Sequence, residues 1–145
     1  MGKKSSSEKL VIAAASAGAA VGAAYLAVGN AIFNKTMSKK SIAKKMDEKK
    51  NEYDGITKEG MEWFDSASPA KVKIVTPRGG YVHGEIILAD EPSDVWVIVI
   101  HGYTGSPRRM GSFGKRFHEM GYNCLFPYLC GHGASESNYV TMGWN

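Results

Sequence analysis

Residues Leu10 to Phe33, LVIAAASAGAAVGAAYLAVGNAIF, run for 24 positions without a charged side chain. A bilayer core is crossed by about 20 helical residues, so this run restricts the chain to few architectures. Three readings fit it. A transmembrane or signal-anchor helix matches the length. A cleaved signal peptide is served by several Ala-x-Ala sites, although the stretch exceeds the usual apolar region of about 7–15 residues. A buried helix of a soluble domain is the third. Gly18 and Gly22, extended by Ala14, make a small-residue stripe of the kind that lets two helices approach in lipid. In a segment this rich in Ala and Gly the spacing also arises readily by chance.

Charge is placed unevenly. Residues 1–50 hold ten lysines against three acids, a net +7, while residues 51–145 sum to −3. The overall +4 therefore belongs to the flanks of the apolar run. It does not describe a basic folded face, which excludes the usual nucleic-acid-binding domain. Lys3, Lys4 and Lys9 precede the run, and Lys35, Lys39, Lys40, Lys44 and Lys45 come after it. By the positive-inside rule the larger second group holds the C-terminal part in the cytoplasm. A short tail with three lysines equally suits a signal anchor that exports the rest of the chain. The expected organisation is a basic tail at 1–9, a spanning helix at 10–33, a charged linker at 34–52 and a globular region at 53–145. The linker reads either as a solvated spacer or as a helix drawn to anionic headgroups.

The globular region alternates helix and strand signals. Residues 53–67 form a short helix with Ile56, Met61, Trp63 and Phe64 as packing residues, ended by Pro69. Residues 71–75 and 81–88 alternate as two strands around the Pro77–Gly80 turn, an antiparallel hairpin. His83 falls inside the second of them as an ordinary strand residue. Val95 to Ile100, VWVIVI, is apolar throughout, as strands buried on both faces are. A helix from about Pro107 to Met120 comes next, with Met110, Phe113 and Phe117 as its apolar stripe and Gly121 as its stop. His118 on that helix reads as exposed and idle. Tyr122 to Leu129 is the next strand, so strand, helix and strand form a βαβ unit. Cys124 and Cys130 stand about 20 Å apart along an extended chain and read as structural thiols rather than a disulfide.

The chemistry centres on His101-Gly-Tyr-Thr-Gly105, directly after the apolar strand. Glycines allow a tight bend there, and backbone N–H groups in such a bend can face a developing oxyanion. Tyr103 is the first choice for that N–H and Thr104 the second. One helix later comes GYNCLFPYLCGHGASES. There is no zinc-type Cys/His spacing, no P-loop and no dinucleotide-binding glycine pattern, so neither a metal nor a cofactor is expected.

Together, VWVIVIHGYTGSPRRM and GYNCLFPYLCGHGASES resemble the N-terminal half of the α/β-hydrolase fold. They are most similar to membrane-anchored bacterial hydrolases described as cell-surface hydrolases. In that group a hydrophobic helix precedes a hairpin, an HGYTG-type loop and a PDxRGHGxS-type loop. The tail Asn138-Tyr-Val-Thr-Met-Gly-Trp144 looks like its continuation. The resemblance covers roughly residues 60–145. It implies an α/β class with an incomplete α/β-hydrolase fold, one hairpin plus one βαβ unit behind a transmembrane helix. It also implies a single-pass cell-membrane protein with its globular part on the extracellular face, and a small-molecule ester or other acyl compound as substrate. In the family His101 and His132 brace loops rather than act as the catalytic base, as do Gly102, Gly105, Gly131 and Gly133. Tyr128 stands where the family carries Asp, and Cys130 where it carries Arg.

A nucleophile elbow G-x-S-x-G belongs between a later strand and helix of this fold, with acid and histidine after it. None occurs in the sequence. Gly133-Ala-Ser-Glu-Ser137 ends in the wrong residue, and Met110-Gly-Ser-Phe-Gly114 has its serine in the wrong register. The expectation is a truncated serine hydrolase that supplies part of an oxyanion hole and is inactive alone. The alternative is a non-catalytic, membrane-anchored binding or assembly module. On either reading the partners are a lipid bilayer and, through an exposed sheet edge or the apolar helix, a second copy.

Overall fold

The computed structural model describes residues 5–48, 53–77 and 79–141. The expected positions in 1–4, 49–52, Arg78 and 142–145 lie outside these. The chain divides into two compact units, 1–36 and 37–145.

The first unit is helix α1, Ser6–Met37. It opens on a reciprocal cap: Glu8 N–H donates to Ser5 Oγ and Ser5 N–H to Glu8 Oε2, which satisfies two end donors at once. At 1.5 Å per residue, α1 exceeds the bilayer core of about 30 Å. Its apolar residues, Leu10, Val21 and Leu26 among them, are exposed. By length and composition it can cross a membrane, and a signal sequence would have the same features.

The second unit starts with helix α2, Lys39–Glu48, in the segment read as a linker. Its Ile42 is only 1% exposed. Its first residue and the chain just before it are tied to residues 138–140: Lys39 N–H donates to the Asn138 carbonyl and Val140 N–H to that of Met37. The lysine count of this segment conceals one apolar contact residue among solvated neighbours.

Helix α3, Gly55–Ser66, begins at Asp54, whose carboxylate accepts from Thr57 N–H at 2.8 Å. Strands β1 (Ala70–Val75) and β2 (Tyr81–Ile87) form the expected antiparallel hairpin. Strand β3, Trp96–Ile98, leads through a 3₁₀ turn at Pro107–Met110 into helix α4, Gly111–Glu119, and then strand β4, Asn123–Pro127. The sheet order is β1-β2-β4-β3, with β3 and β4 parallel and the other pairs antiparallel. Mixed sheet and helices make the fold α/β.

Phe64, Ile87, Val99, Cys124 and Phe126 form the core, flanked by Trp63, Val97, Met110 and Phe117. The Phe64 and Phe126 rings meet edge to face at 5.0 Å, a geometry worth about 0.5–1.5 kcal/mol beyond area burial. Helices α3 and α4 approach through glycine: a Cβ on Gly111 would lie 2.0 Å from the Gly60 carbonyl oxygen.

Three expectations need correction. The run at 95–100 is not buried on both faces: Val99 is buried, whereas Ile98 is 59% exposed and Trp96 and Ile100 also face outward. Strand β3 is one of the sheet's two edges, and only one of its faces meets the core. On α4, Phe113 is 59% exposed; buried Gly111 and Gly114 take the packed side instead, because α3 and the Phe126 ring come too close for side chains. His118 is not idle, since Nε2 lies 3.0 Å from the Leu88 carbonyl and its ring 5.6 Å from that of Trp63.

Candidate active site

Loops 99–106 and 128–137 extend from the C-terminal ends of the parallel strands β3 and β4. In open α/β sheets this end carries the ligand crevice. The two loops are joined by buried histidines. Leu129 N–H donates to His101 Nε2 at 3.2 Å, which leaves the ring proton on Nδ1, 2.8 Å from the Gly102 carbonyl. Burial pushes the His101 pKa below its ordinary value; the Gly102 carbonyl opposes this, and electrostatic interaction with the neighbouring His132 and Arg109 adds to it. His132 Nε2 meets the Tyr103 carbonyl, and its ring sits 4.8 Å from that of His101, edge on. Both histidines thus hold backbone in place.

Gly105 closes the bend, its N–H donating to the Gly102 carbonyl at 2.8 Å. A Cβ there would stand 2.9 Å from His101 Cβ, so the position is closed to any other residue without displacement. In the second loop Gly131 has φ +76°, and a Cβ on it would meet the Tyr139 carbonyl oxygen at 2.5 Å. Gly133 adjoins the Tyr128 ring in the same way.

Carbonyl directions fix amide directions. Among the described residues every peptide bond is trans, and across a trans peptide the C=O and the next N–H point oppositely. The Gly102 carbonyl accepts from His101 Nδ1 and Gly105 N–H, and the Tyr103 carbonyl from His132. The N–H groups of Tyr103 and Thr104 are therefore turned away from those donors. The Thr104 carbonyl takes Nη1 of Arg109 at 2.9 Å, and the Arg109 guanidinium stacks over the Tyr53 ring at 4.7 Å.

Of three further participants, Ser135 ends the GHGxS pattern, whereas Arg109 and Lys39 carry no motif signal of their own. Arg109 sits in the Ser106-Pro-Arg-Arg109 run directly after the glycine bend, and that adjacency is its only mark in the sequence. Ser135 is fully buried; its Oγ donates to the Tyr128 carbonyl at 2.7 Å and accepts from His83 N–H at 2.9 Å. Lys39 Nζ donates to the Ser135 carbonyl at 2.8 Å, a contact 96 residues apart in sequence. Tyr128 donates its hydroxyl to Glu85 Oε1 at 3.1 Å. Burial and the adjacent carboxylate push its pKa up to about 12. A cleft of about 460 Å³ lies beside the second loop, lined by Thr76, Pro77, Gly80, Tyr81, Cys130 and Glu136. Cys124 is buried, Cys130 is half-buried, and no disulfide joins them. Among the described residues no group of three His, Cys, Asp or Glu side chains is placed to hold a metal ion.

No protein-family model matches the chain. Over 72 residues, half of this chain, it is 31% identical to a carboxylesterase of Bacillus subtilis strain 168 and spans 26% of that protein's length. A solved esterase structure from Pyrococcus furiosus aligns over 55% of this chain and 32% of its own, at 32% identity and a TM-score of 0.49. The chain is thus related in sequence to an esterase-type hydrolase.

Proposed function

We propose that residues 53–145 are the N-terminal portion of a serine-hydrolase domain acting on ester or other acyl bonds, anchored to a membrane by α1. Tyr103 and Thr104 would offer backbone N–H groups to the oxyanion. The nucleophile, its base and the acid would come from sequence other than these 145 residues. In such a site a serine attacks the carbonyl carbon while a histidine takes its proton. The oxygen's charge is held by main-chain donors until the leaving group departs with that proton. One observation carries the reading: the carbonyls of Gly102 and Tyr103 are held by buried donors, which turns the succeeding amides away from them. Such donors cost no reorganisation during reaction, and removing one costs about 10²–10³ in kcat.

The test is to read the gene beyond codon 145 and express the longer polypeptide with p-nitrophenyl acyl esters. Hydrolysis abolished by replacing the serine of a downstream G-x-S-x-G supports the proposal. A continuation with no such elbow, and no hydrolysis, contradicts it. That outcome would favour an assembly module, to which the outward apolar side chains of Trp96, Ile98 and Ile100 on the β3 edge are suited.

A further inference from the structure

Two cations flank the Tyr103–Thr104 segment from different elements. Lys45, on α2, places Nζ 5.9 Å from the centroid of the Tyr103 ring. Arg109, in the 3₁₀ turn, holds the Thr104 carbonyl through Nη1 and lies over Tyr53. Both side chains are half-buried. A guanidinium carries five N–H donors, and among the described residues Thr104 is the only acceptor that Arg109 meets. Asp54, on one side of Tyr53, is committed to Thr57 N–H at the start of α3; Glu52, on its other side, lies outside the described residues. Arg109 is also close enough to His101, at the base of the same bend, to disfavour a charge on that ring. Among the described residues, the bend thus faces two cations and a guanidinium with further fork-shaped donors, the arrangement that recognises a carboxylate bidentately.

We propose that Lys45 and Arg109 form an anion-binding wall beside the Tyr103–Thr104 amides, and that the ester taken by this site carries a carboxylate. This rests on the acyl-site reading above and adds the substrate's charge to it. Arg109, held by a carbonyl and an aromatic face, supplies orientation. Lys45, a point charge on a flexible stem, supplies attraction from the α2 side. The segment that reads as a basic linker is on this view part of the binding site.

The experiment titrates the full ¹⁵N-labelled chain in detergent micelles with monoethyl succinate, an anionic ester, and with diethyl succinate, its neutral counterpart. The amide signals of Tyr103, Thr104 and Gly105 and the Nε–H of Arg109 are monitored. Expected is about tenfold tighter binding of the monoester, weakened by salt and lost in both Lys45→Met and Arg109→Met. Equal affinity for the two esters, with shifts at 103–105, overturns the charge selection and leaves the acyl site standing. So does a preference that survives in both variants. No shift at 103–105 with either ester overturns both readings.

Discussion

The backbone N–H of Leu129 donates to Nε2 of His101 across 3.2 Å, joining the loop after β4 to the loop after β3. That one bond sets the histidine's tautomer, and the tautomer directs Nδ1–H at the Gly102 carbonyl. The glycine bend is thereby held from beneath by a neutral ring. A charged imidazolium could not accept from Leu129, so the loop pairing requires the neutral form.

Stability should depend on pH through this ring. Burial holds the His101 pKa below its ordinary value, so between that value and about 6.5 the unfolded chain binds the proton more readily. Stability from this group is full above about 6.5, falls as pH drops toward the folded pKa, and levels off below it. Urea midpoints at pH 7.5 and pH 5 should show the loss in the native chain. His101→Gln, which keeps an acceptor for Leu129 without a titrating group, should show a smaller one. Equal losses would remove His101 as the cause.

Ile42 distinguishes a packed α2 from a solvated spacer. At 1% exposure, Ile42→Ala should cost about 2–5 kcal/mol of unfolding free energy. A surface position would change by within about 0.5 kcal/mol. Denaturant titration of residues 37–145 reads the difference directly.

Gly111 is the point of closest approach between α3 and α4. A Cβ there would stand 2.0 Å from the Gly60 carbonyl oxygen and 3.1 Å from Phe64 Cβ. Backbone cannot swing aside as a side chain does, so Gly111→Ala should destabilise by about 1–3 kcal/mol or more. This is despite alanine's better helix propensity. A neutral or stabilising result would show that the two helices are further apart.

The β3 edge predicts self-association. Trp96, Ile98 and Ile100 point outward from an edge strand, and such an edge pairs with other chains unless charged or covered. In sedimentation of residues 37–145, Ile98→Lys should shift the distribution toward monomer by about tenfold or more in apparent Kd. An unchanged distribution would place the contact elsewhere.

The hairpin was legible because period-two alternation and turn chemistry are local signals, and the parallel β3–β4 pair because an apolar strand, a helix and a second strand follow one another as a βαβ unit. The glycine bend was legible because His101-Gly-Tyr-Thr-Gly105 directly follows an apolar strand, and the structure meets that reading at Gly105, where a Cβ would stand 2.9 Å from His101 Cβ. The exposure of β3 was not legible: VWVIVI looks alike whether one face or two are covered, and coverage depends on neighbours remote in sequence. Phe113 misled for a related reason, since helical spacing shows a stripe but not that glycines at 111 and 114 have been set against Gly60 and Phe126. Lys39 and Lys45 gave no signal, because solvated and docked lysines are identical in sequence. Their roles come from the 37–48 segment folding onto residues 135–140 and the Tyr103 ring.

The most direct measurement is labelling of the purified 145-residue chain with a serine-reactive fluorophosphonate, beside the longer polypeptide that the proposal requires. The shorter chain should take up no stoichiometric label, and the longer one should be labelled at the serine of its elbow. Specific, one-to-one labelling of a serine within residues 1–145 would contradict a site whose attacking group lies outside them.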